Sequence, residues 1–154
     1  MLRTDVKWKT FFLRVSWAPL AVVLFHSAYG LFIGHPPTLD LVMHPLGGLA
    51  IAYSAHGAIP RLEPLFGKLN RVAHYSLVLG ASFVCANLWE YAEFLADVVV
   101  DSRIQTSVEE TMVDLVLGTG AASMFVAVSW IGSLRNASFC TAINSRTSPF
   151  SSKD

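Results

Sequence analysis

The sequence predicts an all-α integral membrane protein, a bundle of four transmembrane helices with both termini in the cytoplasm. Of its 154 residues 53% are hydrophobic and only 14% are charged, whereas about 25% are charged in a typical soluble domain. The apolar residues fall into blocks of about 20, the length that crosses a bilayer as a helix. The basic residues lie almost entirely on one side of these blocks. Together these observations predict the number of spans and their orientation.

Four apolar blocks are predicted as membrane spans, at residues 12–33, 39–59, 72–95 and 108–131. The first block follows basic residues as a signal peptide would, but it is too long for one and lacks a small-residue cleavage site. Gly34 and the prolines after it end the first span, and Pro60 is expected to end the second. The spans define a transmembrane domain over residues 1–134, and the Ser- and Thr-rich residues 135–154 form a polar C-terminal tail.

The distribution of Lys and Arg fixes the predicted topology. Ten of the eleven lie before or at the start of the first span, between the second and the third, or after the fourth: Arg3, Lys7, Lys9, Arg14, Arg61, Lys68, Arg71, Arg135, Arg146 and Lys153. Only Arg103 lies on the other side, so the positive-inside rule places both termini in the cytoplasm. We therefore expect a multi-pass membrane protein, with the lipid bilayer as its partner and no nucleic acid.

The acidic residues are concentrated at the opposite, outer end of the predicted bundle. Eight of the eleven lie there: Asp40, Glu90, Glu93, Asp97, Asp101, Glu109, Glu110 and Asp114. A carboxylate near the middle of a membrane helix costs about 2.5–3.5 kcal/mol on insertion scales. Asp97, Asp101 and Glu109 are expected at a solvated loop edge. The deeper carboxylates need a bound cation, protons or a partner to offset that cost.

The deeper groups follow helical spacing, so each set shares one face of its helix. Asp40 and His44 are four residues apart, Glu90 and Glu93 three apart, and Glu110 and Asp114 four apart. These faces must point into the bundle, because lipid cannot solvate charge. The sequence thus predicts a divalent-metal site formed by Asp40, His44, Glu90, Glu93, Glu110 and Asp114.

The mixture of carboxylates with one or two imidazoles suits zinc, manganese or iron. Within this site Glu93 is the candidate catalytic base, and His26 of the first span is a candidate cofactor-binding residue at a similar depth. Asn87, one turn before Glu90, is expected to support the site by hydrogen bonding. Pro45 is expected to kink the second span beside His44. The alternative interpretation is a network of protonated carboxyl groups that ties the helices together.

Three short motifs in chain order carry a family resemblance. They are Asp40-x-x-x-His44 followed by glycine, Glu90-x-x-Glu93, and Glu110-Thr-x-x-Asp114. Over residues 38–122 the chain resembles the YjdF-like family of small bacterial inner-membrane proteins, whose function is uncharacterised. The chain differs from the family pattern in having one span before the first motif, a shorter loop at residues 97–107, and Glu110 in place of Asp. The resemblance implies a location in the bacterial inner (cytoplasmic) membrane and a shared site, but it supplies no activity.

Three functions are compatible with these patterns. The first is a metal-dependent membrane enzyme acting at the outer face, with the metal as Lewis acid or water activator. The second is an accessory subunit of a larger membrane complex, or a self-associating protein, in which the polar site is structural or holds a cofactor such as a haem or chlorin on His26 or His44. The third is an ion or proton pathway, since carboxylates within membranes often mark one.

Overall fold

The computed structural model describes residues 8–34, 36–102, 104–105 and 107–146. These residues form four helices and no strand: α1 (Trp8–Ile33), α2 (Pro37–Phe66), α3 (Arg71–Val100) and α4 (Val108–Arg146). The predicted all-α class is confirmed. Arg3, Lys7, Arg103 and Lys153, which contribute to the predicted topology, lie outside the described residues, as does the end of the predicted polar tail, 147–154.

Three of the helices are long and apolar enough to cross a membrane: α1 over Val15–Ile33, α3 over Arg71–Val100 and α4 over Val108–Arg135. Helix α2, also predicted as a span, is not among them. Its central stretch is less apolar because it carries His44, His56 and a Pro-Leu-Gly-Gly sequence. It also packs against α1, α3 and α4, so protein rather than solvent or lipid covers much of its surface.

The predicted helix ends differ from the observed ones where a proline or a polar composition suggested a stop. Helix α2 continues through Pro60 and Pro64 to Phe66, although each proline removes a helical hydrogen bond and crowds the preceding turn. It ends at Gly67, whose φ of +92° suits only glycine. Helix α3 runs five residues beyond its expected end, to Val100. Helix α4 continues past Ile131 to Arg146, into the segment predicted as a polar tail.

Two hydrogen-bonded caps set the limits of α3. The Asn70 side chain accepts a hydrogen bond from the Ala73 N–H at 2.8 Å, which satisfies one of the free donors of the first turn. At the other end Asp101 adopts a left-handed conformation with φ +52°, and its N–H bonds the carbonyl of Asp97 at 3.1 Å. Asp tolerates this conformation better than most residues, and the chain turns there toward α4.

Helices α2 and α4 approach closely at a pair of glycines. A Cβ added to Gly48 would overlap the backbone carbonyl of Gly118, and a Cβ added to Gly118 would lie 3.4 Å from the carbonyl oxygen of His44. Small residues permit such close approach of membrane helices. Ala122, one turn beyond Gly118, is fully buried, so the close packing continues along α4.

The apolar core lies toward the α2–α3 turn. Its buried members are Ala52, Ile59, Tyr75, Val78, Ala122 and Val126. Beside it, His56 of α2 and His74 of α3 share a hydrogen bond, with 2.7 Å between Nδ1 of the first and Nε2 of the second. One ring must donate and the other accept, so this pair joins the two helices at the end opposite the acidic residues.

Candidate metal centre

His44 lies between carboxylates of two neighbouring helices. Its Nδ1 is 3.4 Å from Oε1 of Glu90 on α3, and its Nε2 is 3.7 Å from Oδ2 of Asp114 on α4. The close approach of α2 and α4 at Gly48 and Gly118, each one turn further along its helix, places His44 opposite Asp114. A single imidazole therefore contacts acidic groups on both partner helices.

Glu93 completes a group of three potential ligands. One ligand atom from each of His44, Glu90 and Glu93 lies within 4.8 Å of the other two. Glu90 is 4% exposed and Glu93 is 7% exposed, so neither is a solvated surface carboxylate. An imidazole nitrogen and carboxylate oxygens are ligands that zinc, manganese and iron accept, and the three ligand atoms are near enough to one another to share one ion.

Both glutamates are held by hydrogen bonds from neighbouring side chains. The Trp89 indole N–H donates to Oε1 of Glu93 at 2.6 Å. The Gln105 amide donates to Oε2 of Glu90 at 3.2 Å and to the Glu90 backbone carbonyl at 3.0 Å. Donors of this kind orient metal ligands and fix their rotamers. Glu90 keeps its other oxygen, Oε1, beside Nδ1 of His44 at 3.4 Å.

Asp97 organises the loop that delivers Gln105. Its carboxylate accepts hydrogen bonds from the N–H of Ile104 at 2.7 Å, from the N–H of Gln105 at 2.9 Å and from the hydroxyl of Ser102 at 2.5 Å. Asp97, expected at a solvated loop edge, lies at that edge partly exposed and also holds the loop through these bonds. The residue folds the α3–α4 connection back over the site.

The remaining predicted site residues lie around this group. His26 of α1 is buried, and its Nε2 is 3.5 Å from Oδ1 of Asp40 on α2. Asp40 and Glu110 both lie near enough to His44 for their charges to interact with it. Of the six predicted ligands, the structure thus brings His44, Glu90 and Glu93 into one tight group, with Asp114 beside it. Asp40 pairs with His26 instead. Glu110 lies at the edge of the group.

Two supporting residues were not identified from the sequence, and one was wrongly expected. Trp89 lies four residues before Glu93, a spacing that places both side chains on one helix face and is a usable signal. Gln105 offers no sequence signal, because it reaches Glu90 only through the folded loop. Asn87 is exposed and donates to the carbonyl of Phe83 within its own helix at 2.8 Å, so it does not support the site.

Comparison with known proteins identifies a family for the chain. No curated protein and no solved structure shows significant similarity to it. Residues 4–135 match the model of a family described as "Predicted membrane protein (DUF2238)". This match covers all four predicted spans and every candidate ligand, and it agrees with the YjdF-like resemblance of the three motifs. The chain belongs to the DUF2238 family of predicted membrane proteins.

Proposed function

We propose that this chain is a four-span protein of the bacterial inner membrane that binds one divalent metal ion, zinc, manganese or iron, and uses it as a membrane enzyme at the outer face. The observation that carries the proposal is the group formed by His44, Glu90 and Glu93, with ligand atoms within 4.8 Å of one another. We call this group, together with Asp114, the acidic cluster.

The burial of the acidic cluster argues for a cation. Glu90, Glu93 and Asp114 are 4%, 7% and 6% exposed, and all three lie on helices apolar enough to span a membrane. Several carboxylates confined in a medium of low dielectric constant repel one another strongly. A divalent ion removes that repulsion and also satisfies oxygen lone pairs that burial would otherwise leave without a partner.

The surroundings of Glu93 suit a catalytic role. A cleft of about 530 Å³ between α1 and α3 is lined by Glu93, His26, Trp89 and Ile104, so a reactant approaching from the α3–α4 loop can reach this carboxylate. Trp89 occupies Oε1 of Glu93, which leaves Oε2 for the metal or for a water molecule. A metal next to a carboxylate base is a general arrangement for activating water or polarising a carbonyl or phosphoryl oxygen.

Helix α2 completes the proposed four-span bundle. It contacts the three helices that are apolar enough to cross the membrane, and it supplies His44 and Asp40 from a position between them. The positive-inside rule then puts the α2–α3 turn in the cytoplasm and the acidic cluster in the outer leaflet.

Metal content of the purified full-length protein tests the proposal. We expect about one zinc, manganese or iron ion per chain by elemental analysis, and loss of most of it in Glu90→Gln, which removes a ligand charge but keeps the side-chain shape. Glu109→Gln, at an exposed position of α4, is the matched control and should retain the metal. A wild-type protein that binds none of the three metals after reconstitution would exclude the proposed site.

The accessory-subunit alternative has one observation in its favour. Helix α4 has 39 residues and therefore extends about 58 Å, well beyond a hydrocarbon core about 30 Å thick. The part outside the bilayer offers a surface for another protein. Co-purification with a partner at fixed stoichiometry, lost on truncation after Arg135, would support this alternative. A visible absorption band lost in His26→Ala would identify a haem or chlorin version of it.

The ion-pathway alternative is less well supported. Beneath the acidic cluster the helices pack apolar side chains, and Ala52, Val78 and Ala122 are fully buried there. A continuous polar route through that layer would have to displace this core.

A further inference from the structure

A second cavity lies directly beside the acidic cluster. Helices α1, α2 and α3 surround about 530 Å³, which falls in the range of small-ligand pockets, roughly 300–1,000 Å³. Most of the lining is apolar, with Val22 of α1, Ile51 of α2 and Ala86 of α3 as examples. His26 and His44 also line it. The cavity therefore has apolar walls and an imidazole-bearing end that adjoins the candidate metal.

The dimensions of the cavity match one leaflet of a bilayer. His44 and Ser54 both line it, and ten residues of helix between them correspond to about 15 Å. The hydrocarbon core is about 30 Å thick, so the cavity extends over about half of it. Helix α1 packs against α2, while α3 packs against α2 and α4. Among the described residues α1 and α3 thus share no backbone packing, and the gap between them gives access from the bilayer.

Small side chains keep the cavity open. Ala55, Ala81 and Gly47 belong to its wall, and a Cβ built on Gly47 meets no atom within 4 Å. These small side chains leave a narrow, apolar space that a slender ligand can fill.

We infer that the cavity binds one hydrocarbon chain of a membrane lipid, with the polar group of that lipid at His26 and His44. The inference rests on the proposed function, because it makes a lipid-borne polar group the substrate presented to the metal. The cavity lies within the membrane-spanning helices and has the polarity of a lipid. Its apolar walls match the hydrocarbon chain, and the imidazoles at one end match the polar group. A water-soluble substrate would gain nothing from such walls.

Photo-crosslinking in vesicles tests the inference. The full-length protein is reconstituted in vesicles of phosphatidylethanolamine and phosphatidylglycerol. A fraction of the phosphatidylethanolamine carries a diazirine in the middle of one acyl chain. After irradiation, the residues that carry lipid adducts are identified by mass spectrometry. We expect adducts at Met43, Cys85 and Ala86 of the cavity wall. Phe83 and Val84 are exposed residues of α3. Bulk lipid should label them, so their adducts provide an internal standard.

Filling the cavity separates specific from bulk labelling. Gly47→Phe should reduce the cavity adducts several-fold relative to those at Phe83 and Val84. Gly120→Phe is the control, because Gly120 also meets no atom within 4 Å but lies on exposed α4 surface outside the cavity. Gly47→Leu fills less space, and it replaces Gly47→Phe if that variant does not fold.

Metal content measured on the same samples distinguishes the two proposals. Cavity adducts that are equal in Gly47→Phe and Gly120→Phe, or absent in the wild type, would overturn the lipid-chain inference even if the metal is present. Cavity adducts that depend on Gly47 in a protein that binds no metal would leave the lipid site in place and remove the proposed metal function.

Discussion

Gly48 of α2 lies against the backbone of Gly118 of α4, so closely that a Cβ on the first would overlap the carbonyl of the second. Each glycine is four residues beyond a member of the acidic cluster, Gly48 beyond His44 and Gly118 beyond Asp114. The contact therefore sets the separation of the two helices where His44 and Asp114 meet, at 3.7 Å. Helix packing and site geometry depend on the same pair of residues.

Gly48→Ala should destabilise the protein and weaken metal binding together. The new methyl group has to push α4 away, and overpacking of this kind typically costs about 1–3 kcal/mol. Gly120→Ala is the matched control, because its Cβ meets no atom within 4 Å and should cost nothing. Thermal unfolding in detergent and metal titration check both effects. Equal unfolding temperatures for the two variants would show that the helices do not pack at Gly48.

Gln105→Ala should lower metal affinity without unfolding the protein. The substitution removes the amide that donates to Oε2 of Glu90 at 3.2 Å, so the carboxylate loses its fixed orientation. Loss of such an outer hydrogen bond typically costs about 10–100-fold in metal affinity. Competition with a chelator of known affinity measures the change.

Asn87→Ala is the control for Gln105→Ala. It also removes a side-chain amide that donates to a backbone carbonyl on α3, in this case the carbonyl of Phe83 at 2.8 Å. Asn87 is exposed and lies away from the candidate ligands. Its metal affinity should equal that of the wild type. If both variants lose affinity to the same extent, the effect comes from α3 stability and not from the Gln105–Glu90 contact.

Trp89→Phe should weaken metal binding through Glu93. The replacement removes the indole N–H that donates to Oε1 of Glu93 at 2.6 Å but keeps an aromatic ring beside His26, whose ring centroid lies 5.9 Å away. We expect an affinity loss of about tenfold or more. Trp89 fluorescence should also respond to a paramagnetic ion such as Mn²⁺, so Trp89→Phe should abolish most of the metal-dependent quenching. Quenching that persists in this variant would place the ion elsewhere.

Hydropathy and helical spacing account for most of the features of the fold and the candidate site that could be predicted from the sequence. Apolar blocks locate the helices, because a membrane helix must be apolar over its length. The four-residue spacing of Glu110 and Asp114 and the three-residue spacing of Glu90 and Glu93 assign each pair to one helix face. The requirement that such faces avoid lipid then predicts that they converge. None of these steps needs knowledge of the tertiary structure.

The parts that could not be predicted depend on contacts between distant residues. The end of α2 at Gly67 rather than Pro60 reflects a helix that tolerates an internal proline. The bond from Gln105 to Glu90 requires the loop that Asp97 folds, and the Gly48–Gly118 contact requires the register of α2 against α4. Each of these is a tertiary relationship, for which residue spacing within one helix carries no information.

Cysteine labelling tests the proposed orientation, on which the outer-face location of the acidic cluster depends. In a background with Cys85→Ala and Cys140→Ser, a single cysteine is placed in the α3–α4 loop by Ser102→Cys or in the α2–α3 turn by Lys68→Cys. Both positions are exposed, so reactivity reports the side of the membrane. A membrane-impermeant maleimide added to intact spheroplasts should label Ser102→Cys and should label Lys68→Cys only after permeabilisation, because the basic α2–α3 turn is retained in the cytoplasm. The reverse pattern would place the cluster at the cytoplasmic face, and equal labelling of both positions before permeabilisation would mean that α3, the helix between them, does not cross the membrane.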